Sequence, residues 1–221
     1  ISVVAGNVKT EEVKRLSEKW FGNIPMGDKY IRNLPKEPVQ AAARMLDIEA
    51  DVPLDAFYKT WHMPARLEKG YYVAELITEI LGGGASSRLY HSLVKEQQLF
   101  SNISCYQFGS IDEGLLTIEG KLVKGKKLEE ADAAVEAVLE KIKLDKVVDT
   151  ELMKVKNKTE SLIAFEDMSV MNRAASLANY ELLGNANLMN EEMERFLDVS
   201  AEDVYTWSNK IFTRENSNTL F

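Results

Sequence analysis

The chain has 221 residues, 45% of them hydrophobic and 28% charged, with a formal net charge of −8 and a pI near 5.0, the composition of a globular fold with one sizeable core or two small ones. That charge, with no arginine-rich run to oppose it, excludes a nucleic-acid partner, because a phosphate backbone would be repelled. A single cysteine, Cys105, excludes an internal disulfide and a cysteine zinc cluster, and no window approaches 18 uninterrupted apolar residues, so no membrane span is expected.

The chain opens Ile-Ser-Val-Val-Ala-Gly, without a start methionine or a basic leader, and reads as a piece of a longer polypeptide whose compartment is not legible. Residues 2–6 are a short β-branched run expected to form a strand. Thr10 to Trp20 follows as a helix with Thr10 as its cap and Val13, Leu16 and Trp20 on one face. From Pro25 to Pro38 the periodicity stops and Gly27, Asp28, Asn33 and Pro35 mark a linker. Residues 1–38 are therefore expected to be a strand–helix tail and linker after a missing upstream domain, and 39–221 a domain of their own.

Within the second region, residues 43–50 and 54–62 read as strands around Asp51-Val52-Pro53, and 68–81 as a helix with Tyr72, Leu76 and Ile80 in line. The next stretch, Leu81-Gly-Gly-Gly-Ala-Ser-Ser-Arg-Leu-Tyr90, turns a corner between two helices. Gly82, Gly83 and Gly84 end the first, since glycine enters left-handed backbone without steric cost, and Ser86 or Ser87 offers a hydroxyl to the free N–H groups of the second. Leu89 and Leu93, with Val94, form the apolar face of that second helix, and Arg88 is expected to make a structural ion pair or cap. A phosphate cradle is the competing reading of such a corner, but a P-loop needs Gly-Lys-Ser/Thr after the glycines and a strand before them.

Residues 101–109 and 113–120 read as a hairpin around Ser110-Ile111-Asp112, with Cys105 packed in its first strand. Lys121, Lys124, Lys126 and Lys127 surround Gly125 as a solvated loop. Leu128, Ala131, Val135, Val138, Leu139 and Ile142 form a helical stripe, and about 149–183 reads as a long helix, straight or kinked, in which Met153, Met168 and Met171, like the later Met189, fill core gaps. Ser200-Ala-Glu-Asp203 starts a last helix with a capping box, and Ser217 to Phe221 begins a closing strand. The elements predict an α+β fold: a mostly antiparallel sheet with helices packed on it, and long helices in the C-terminal half.

Three segments together carry a resemblance. Gly82-Gly-Gly-Ala-Ser-Ser-Arg-Leu89 is similar to the Gly-Gly-Gly-x-Ser-Ser-Arg-Leu run in the second, non-catalytic domain of the pitrilysin/insulinase zinc metallopeptidases. Val3 to Val8 with Trp20-Phe-Gly-Asn-Ile-Pro25 resembles the family's strand, turn and helix ending. Leu177-Ala-Asn-Tyr-Glu-Leu-Leu-Gly184 with Val199 to Val204 resembles its C-terminal helices. The resemblance implies a C-terminal, catalytically inactive domain that walls a substrate chamber opposite a zinc-bearing domain. Its partners would be that upstream catalytic domain, a peptide substrate and, in heterodimeric members, a paralogous peptidase subunit. A zinc-free scaffold, like the respiratory-complex core subunits of the same superfamily, is the alternative it leaves open.

The metal chemistry itself is not encoded in this stretch. An inverted zinc motif needs two histidines flanking x-x-Glu on one helix, whereas the only histidines, His62 and His91, lie 29 residues apart with no glutamate at the required offset. No cofactor is expected here, and zinc is implied only for the upstream domain. The resemblance also implies an arginine and, seven residues later, a tyrosine that donate to substrate and oxyanion; those positions are Val94 and Ser101 here, which depart from the pattern.

Overall fold

The computed structural model describes residues 1–28, 33–109 and 111–221, so residues 29–32 of the expected linker and Ser110 of the expected hairpin turn lie outside the described residues. In chain order the elements are α1 (Thr10–Phe21), β1 (Arg44–Leu46), β2 (Ala56–Met63), α2 (Lys69–Gly82), a π-helix (Tyr90–Glu96), β3 (Phe100–Phe108), β4 (Gly114–Leu122), α3 (Leu128–Leu144), α4 (Asp149–Glu166), α5 (Val170–Leu182), α6 (Leu188–Leu197), α7 (Ala201–Ile211) and β5 (Ser217–Leu220). They fall into two compact units, residues 1–39 with 161–192, and residues 40–160 with 193–221.

The larger unit is built on a five-stranded sheet in the order β1-β5-β2-β4-β3. Strand alternation decides its two faces: Phe57, Lys59, Trp61 and Met63 of β2 are buried, while Ala56, Tyr58, Thr60 and His62 between them are half-buried. Trp61 meets Phe212 edge-on with centroids 5.0 Å apart, and Tyr72 of α2 meets Phe196 in the same way at 5.1 Å. Helix α2 lies against β3 and α7, burying Tyr72, Val73, Leu76, Ile77, Ile80 and Leu81. Lys59 is a charge on the buried face, and it persists there because Asp132 and Glu136 of α3 accept from its ammonium at 2.7 and 2.5 Å.

The α+β class holds, but the sheet is mixed rather than mostly antiparallel. The last strand, β5, inserts between β1 and β2, pairing parallel with β1 and antiparallel with β2. The two early strands are therefore not neighbours, and β1 shortens to three residues because its only partner is the four-residue β5. The long helix expected over 149–183, straight or kinked, is two separate helices, α4 and α5. The chain breaks at Asp167–Ser169, where the Ser169 hydroxyl accepts from the Asn172 N–H at 3.3 Å and starts α5 afresh.

In the smaller unit no strand forms over residues 2–6, and the N-cap of α1 is Lys9 rather than Thr10, which is the first helical residue and makes no side-chain cap. The expectation that the methionines fill core gaps is overturned for three of the four: Met168 and Met171 are 78% and 76% exposed and Met153 of the larger unit is exposed as well, while Met189 is half-buried.

Helix α7 carries the capping box read from the sequence. Ser200 Oγ accepts from the Asp203 N–H at 3.1 Å, and Asp203 Oδ2 accepts from the Ser200 N–H at 2.9 Å. Burial pushes the Asp203 carboxyl up, but hydrogen bonds from Lys69 and Ser200 together outweigh it and hold the group below the usual carboxylate range. A carboxylate held low in the fold stabilises above its unfolded value, near 3.9, and loses that contribution as pH falls through the folded value. Asp203→Asn is accordingly expected to cost about 1 kcal/mol at neutral pH, with the gap to wild type closing below about pH 4. Urea midpoints measured across that range check it; a gap that widens in acid contradicts it.

Candidate functional site

The corner at the end of α2 is held residue by residue by one side of α4. Arg88 donates from Nε and Nη2 to the two carboxylate oxygens of Glu151 at 3.0 and 2.7 Å, a fork-to-fork pair that is about three-quarters buried. One turn on, Lys154 donates to Ser86 Oγ at 2.9 Å, and Lys158 donates to the Gly83 carbonyl at 2.9 Å and to Glu79 Oε2 at 2.5 Å. Positions 151, 154 and 158 share one helix face, so a single helix fixes the whole turn. Neither serine caps the next helix as expected: Ser86 receives Lys154, and the buried Ser87 hydroxyl has no hydrogen-bond partner.

The three glycines do different work. Only Gly84 takes the left-handed region, with φ +115°; Gly83 has φ −75° and ψ 38°. Gly82 is glycine because of space: a Cβ there would run into the backbone of Cys105 on β3. Cys105 is buried at this contact, where burial and the nearby Glu79 carboxylate push its thiol far above the ordinary range.

Beyond the corner the chain is irregular at three consecutive points. Tyr90–Glu96 forms a π-helix rather than an α-helix. Its spacing of five brings His91 Nδ1 to 3.4 Å from Glu96 Oε1 and lets Gln97 Nε2 donate to Ser92 Oγ at 3.0 Å. Gln98 then adopts φ +52°, and Ser101 is the extra residue of a β-bulge, because Phe100 pairs with Leu122 and Asn102 with Lys121. A left-handed L-residue is strained by roughly 1–2 kcal/mol. Gln98→Gly is therefore expected to raise stability by about 0.5–1 kcal/mol, after allowance for glycine's freer unfolded chain. An unchanged or lower urea midpoint contradicts it.

Val94 and Ser101, the positions at which the resemblance implies an arginine and a tyrosine, sit on this irregular stretch. Val94 is half-buried on the π-helix, beside the fully buried Leu93. Ser101 is exposed and its hydroxyl donates to the Lys121 carbonyl at 3.0 Å. His62 is held at the end of β2 by Asn216, whose Oδ1 lies 3.0 Å from the ring Nδ1 and whose Nδ2 donates to the His62 carbonyl at 3.0 Å. His91 is exposed on the π-helix, and the structure does not bring the two histidines together in a metal site: among the described residues no group of three or more His, Cys, Asp or Glu is placed to hold a metal ion.

The sheet face turned away from α2 and α3 was missed in the sequence. Register places Tyr58 and Thr60 of β2, Thr117 and Glu119 of β4, and Ser104, Tyr106 and Phe108 of β3 on it together. Tyr106 donates its hydroxyl to Glu119 Oε2 at 2.7 Å and stacks edge-on against Phe108. Burial, with the Glu119 hydrogen bond and charge, pushes the Tyr106 phenol up to about 12. Alternation along 101–108 was the available signal.

The larger unit is thus an α+β domain with a mixed five-stranded sheet and an ion-paired glycine corner. Residues 2–159 match the family described as the Peptidase M16 inactive domain, and the chain belongs to that family. It is 26% identical over 224 residues to the zinc protease PqqE of Helicobacter pylori, covering 100% of this chain and 50% of that protein. It is 25% identical over 211 residues to an uncharacterized zinc protease of Rickettsia bellii, covering 95% of this chain and 50% of that one. Among solved structures, a protease from Helicobacter pylori superposes with a TM-score of 0.90 at 25% identity, over 98% of this chain and 53% of that chain. A peptidase M16 inactive domain from Pseudomonas fluorescens has the same fold, with a TM-score of 0.74 at 17% identity over 97% of this chain and 51% of that one. The chain thus spans about half the length of the curated relatives it matches.

Proposed function

We propose that this chain is the non-catalytic half of a zinc metalloendopeptidase, with residues 1–38 the tail and linker of an upstream catalytic domain and 39–221 the inactive domain that walls the substrate chamber. The observation that carries the reading is the match to the inactive domain over residues 2–159, in a chain about half as long as relatives named zinc proteases. The sheet face bearing Tyr58, Tyr106, Phe108 and Glu119 supports a wall role, because aromatic rings and hydroxyls on a rigid sheet suit contact with an extended peptide without binding it tightly. The zinc, its ligands and the general base belong to the upstream half, and with Val94 and Ser101 at the donor positions this half supplies no oxyanion donor of its own.

A scaffold without zinc is the second reading. It is favoured by the likeness in fold to a chain of Complex III2 from Candida albicans, with a TM-score of 0.79 at 14% identity. The upstream sequence separates the two: His-x-x-Glu-His there supports the peptidase, and its absence supports the scaffold. In solution, the full-length parent is expected to cleave an unstructured peptide, and to stop when zinc is stripped by a chelator. A parent that carries the motif and shows no chelator-sensitive cleavage, with or without a second subunit, overturns the reading.

A further inference from the structure

We propose that the apolar run from Leu162 to Leu182 is a docking surface for the other half of a chain of the relatives' length. The inference rests on the reading of this chain as one half of a longer peptidase. Over residues 161–192 a single residue, Tyr180, is buried. Phe165, Met168 and Met171 are 71%, 78% and 76% exposed, and Leu162, Val170 and Leu182 are exposed as well. Exposed apolar surface on that scale marks an interaction site in a soluble protein. Its composition is that of an interface centre: from Met168 to Tyr180 the only charged residue is Arg173, in a chain that is 28% charged overall, and Phe165, Met168 and Met171 are its most exposed apolar side chains.

The helices need a cover for a second reason. Helix α5 has 13 residues, and α1 in the same compact unit has 12 and no buried residue at all. Helices of that length are marginal in water without a packed face. The solved Helicobacter pylori protease carries this fold on 53% of its chain, and the remainder of a chain of that length is the polypeptide available to supply the missing face. A second copy fits less well, because an isologous contact would bring two sets of the flanking carboxylates Glu160, Glu166, Asp167 and Glu181 into one interface between chains of net charge −8.

Hydrogen exchange on the full-length parent and on the 221-residue chain tests the proposal. The amides of 162–182 are expected to exchange at least tenfold more slowly in a monomeric parent than in the chain alone. The double variant Phe165→Asp/Met171→Asp of the parent should restore fast exchange there while the sheet amides are unchanged, which keeps the test decisive if the chain alone does not fold. Equal exchange in both proteins, no response to the double variant, or protection that appears only when the 221-residue chain dimerises would each overturn it. A parent that is protected at 162–182 yet cleaves no peptide would leave the docking surface standing and remove the peptidase reading instead.

Discussion

Mixed with a paralogous subunit that keeps the arginine and tyrosine, the full-length parent is expected to turn over an unstructured peptide about 10²–10³-fold faster than it does alone, the usual effect of restoring a transition-state donor. The reason lies in two positions. Val94 has no donor, and the Ser101 hydroxyl is both short and spent on the Lys121 carbonyl. A zinc-bearing subunit built this way has to take its oxyanion donors from across an interface. The paralogue with its arginine changed to alanine should fail to activate. Equal turnover with and without the paralogue contradicts the heterodimer.

Gly82→Val is expected to destabilise the domain by about 3 kcal/mol, at the top of the range for overpacking, because the new side chain meets backbone rather than a movable side chain. An ideal Cβ at Gly82 lies 2.5 Å from the Cys105 Cβ and nearer still to the Cys105 nitrogen, so α2 would have to lift from β3. Gly83→Val should cost about 1–3 kcal/mol for a related reason, a Cβ 2.5 Å from the Glu79 carbonyl, at a backbone conformation (φ −75°, ψ 38°) between the broad helical and extended regions. Urea midpoints order the two; a Gly82→Val protein with the wild-type midpoint would show that the helix and strand do not approach as described.

What was legible in the sequence was local and periodic. Leu89 and Leu93 are both fully buried, Phe57 and Trp61 alternate into the core, and Ser200 with Asp203 closes its box, because spacing along a helix or strand determines those outcomes. The π-helix was not legible, since apolar residues at i and i+4 announce an α-helix and nothing in the pattern reports a register of five. The insertion of β5 between β1 and β2 joins residues more than 150 positions apart, a pairing that local pattern does not carry. The ion pairs of Lys59 were not legible either, because its two carboxylate partners come from α3, 73 and 77 positions later. Met153, Met168 and Met171 were misjudged for a related reason: an apolar residue in a helical pattern does not report whether a neighbour covers it, and these three are exposed.

At the corner, the glycines and Ser-Ser-Arg were visible as a motif, while the means of holding it was not. Glu151 accepts from Arg88, and Lys154 and Lys158 donate to Ser86 and Gly83, from a helix more than 60 positions further along the chain.

Zinc stoichiometry after a chelator wash and re-addition of zinc decides whether this half carries no metal chemistry and stands opposite a half that does. About one zinc is expected per full-length parent and none on the 221-residue chain, because its two histidines are not brought together in a metal site and His62 is engaged by Asn216. Stoichiometric zinc on the 221-residue chain, lost in His62→Ala or His91→Ala, would contradict it, as would a full-length parent that takes up no zinc at all.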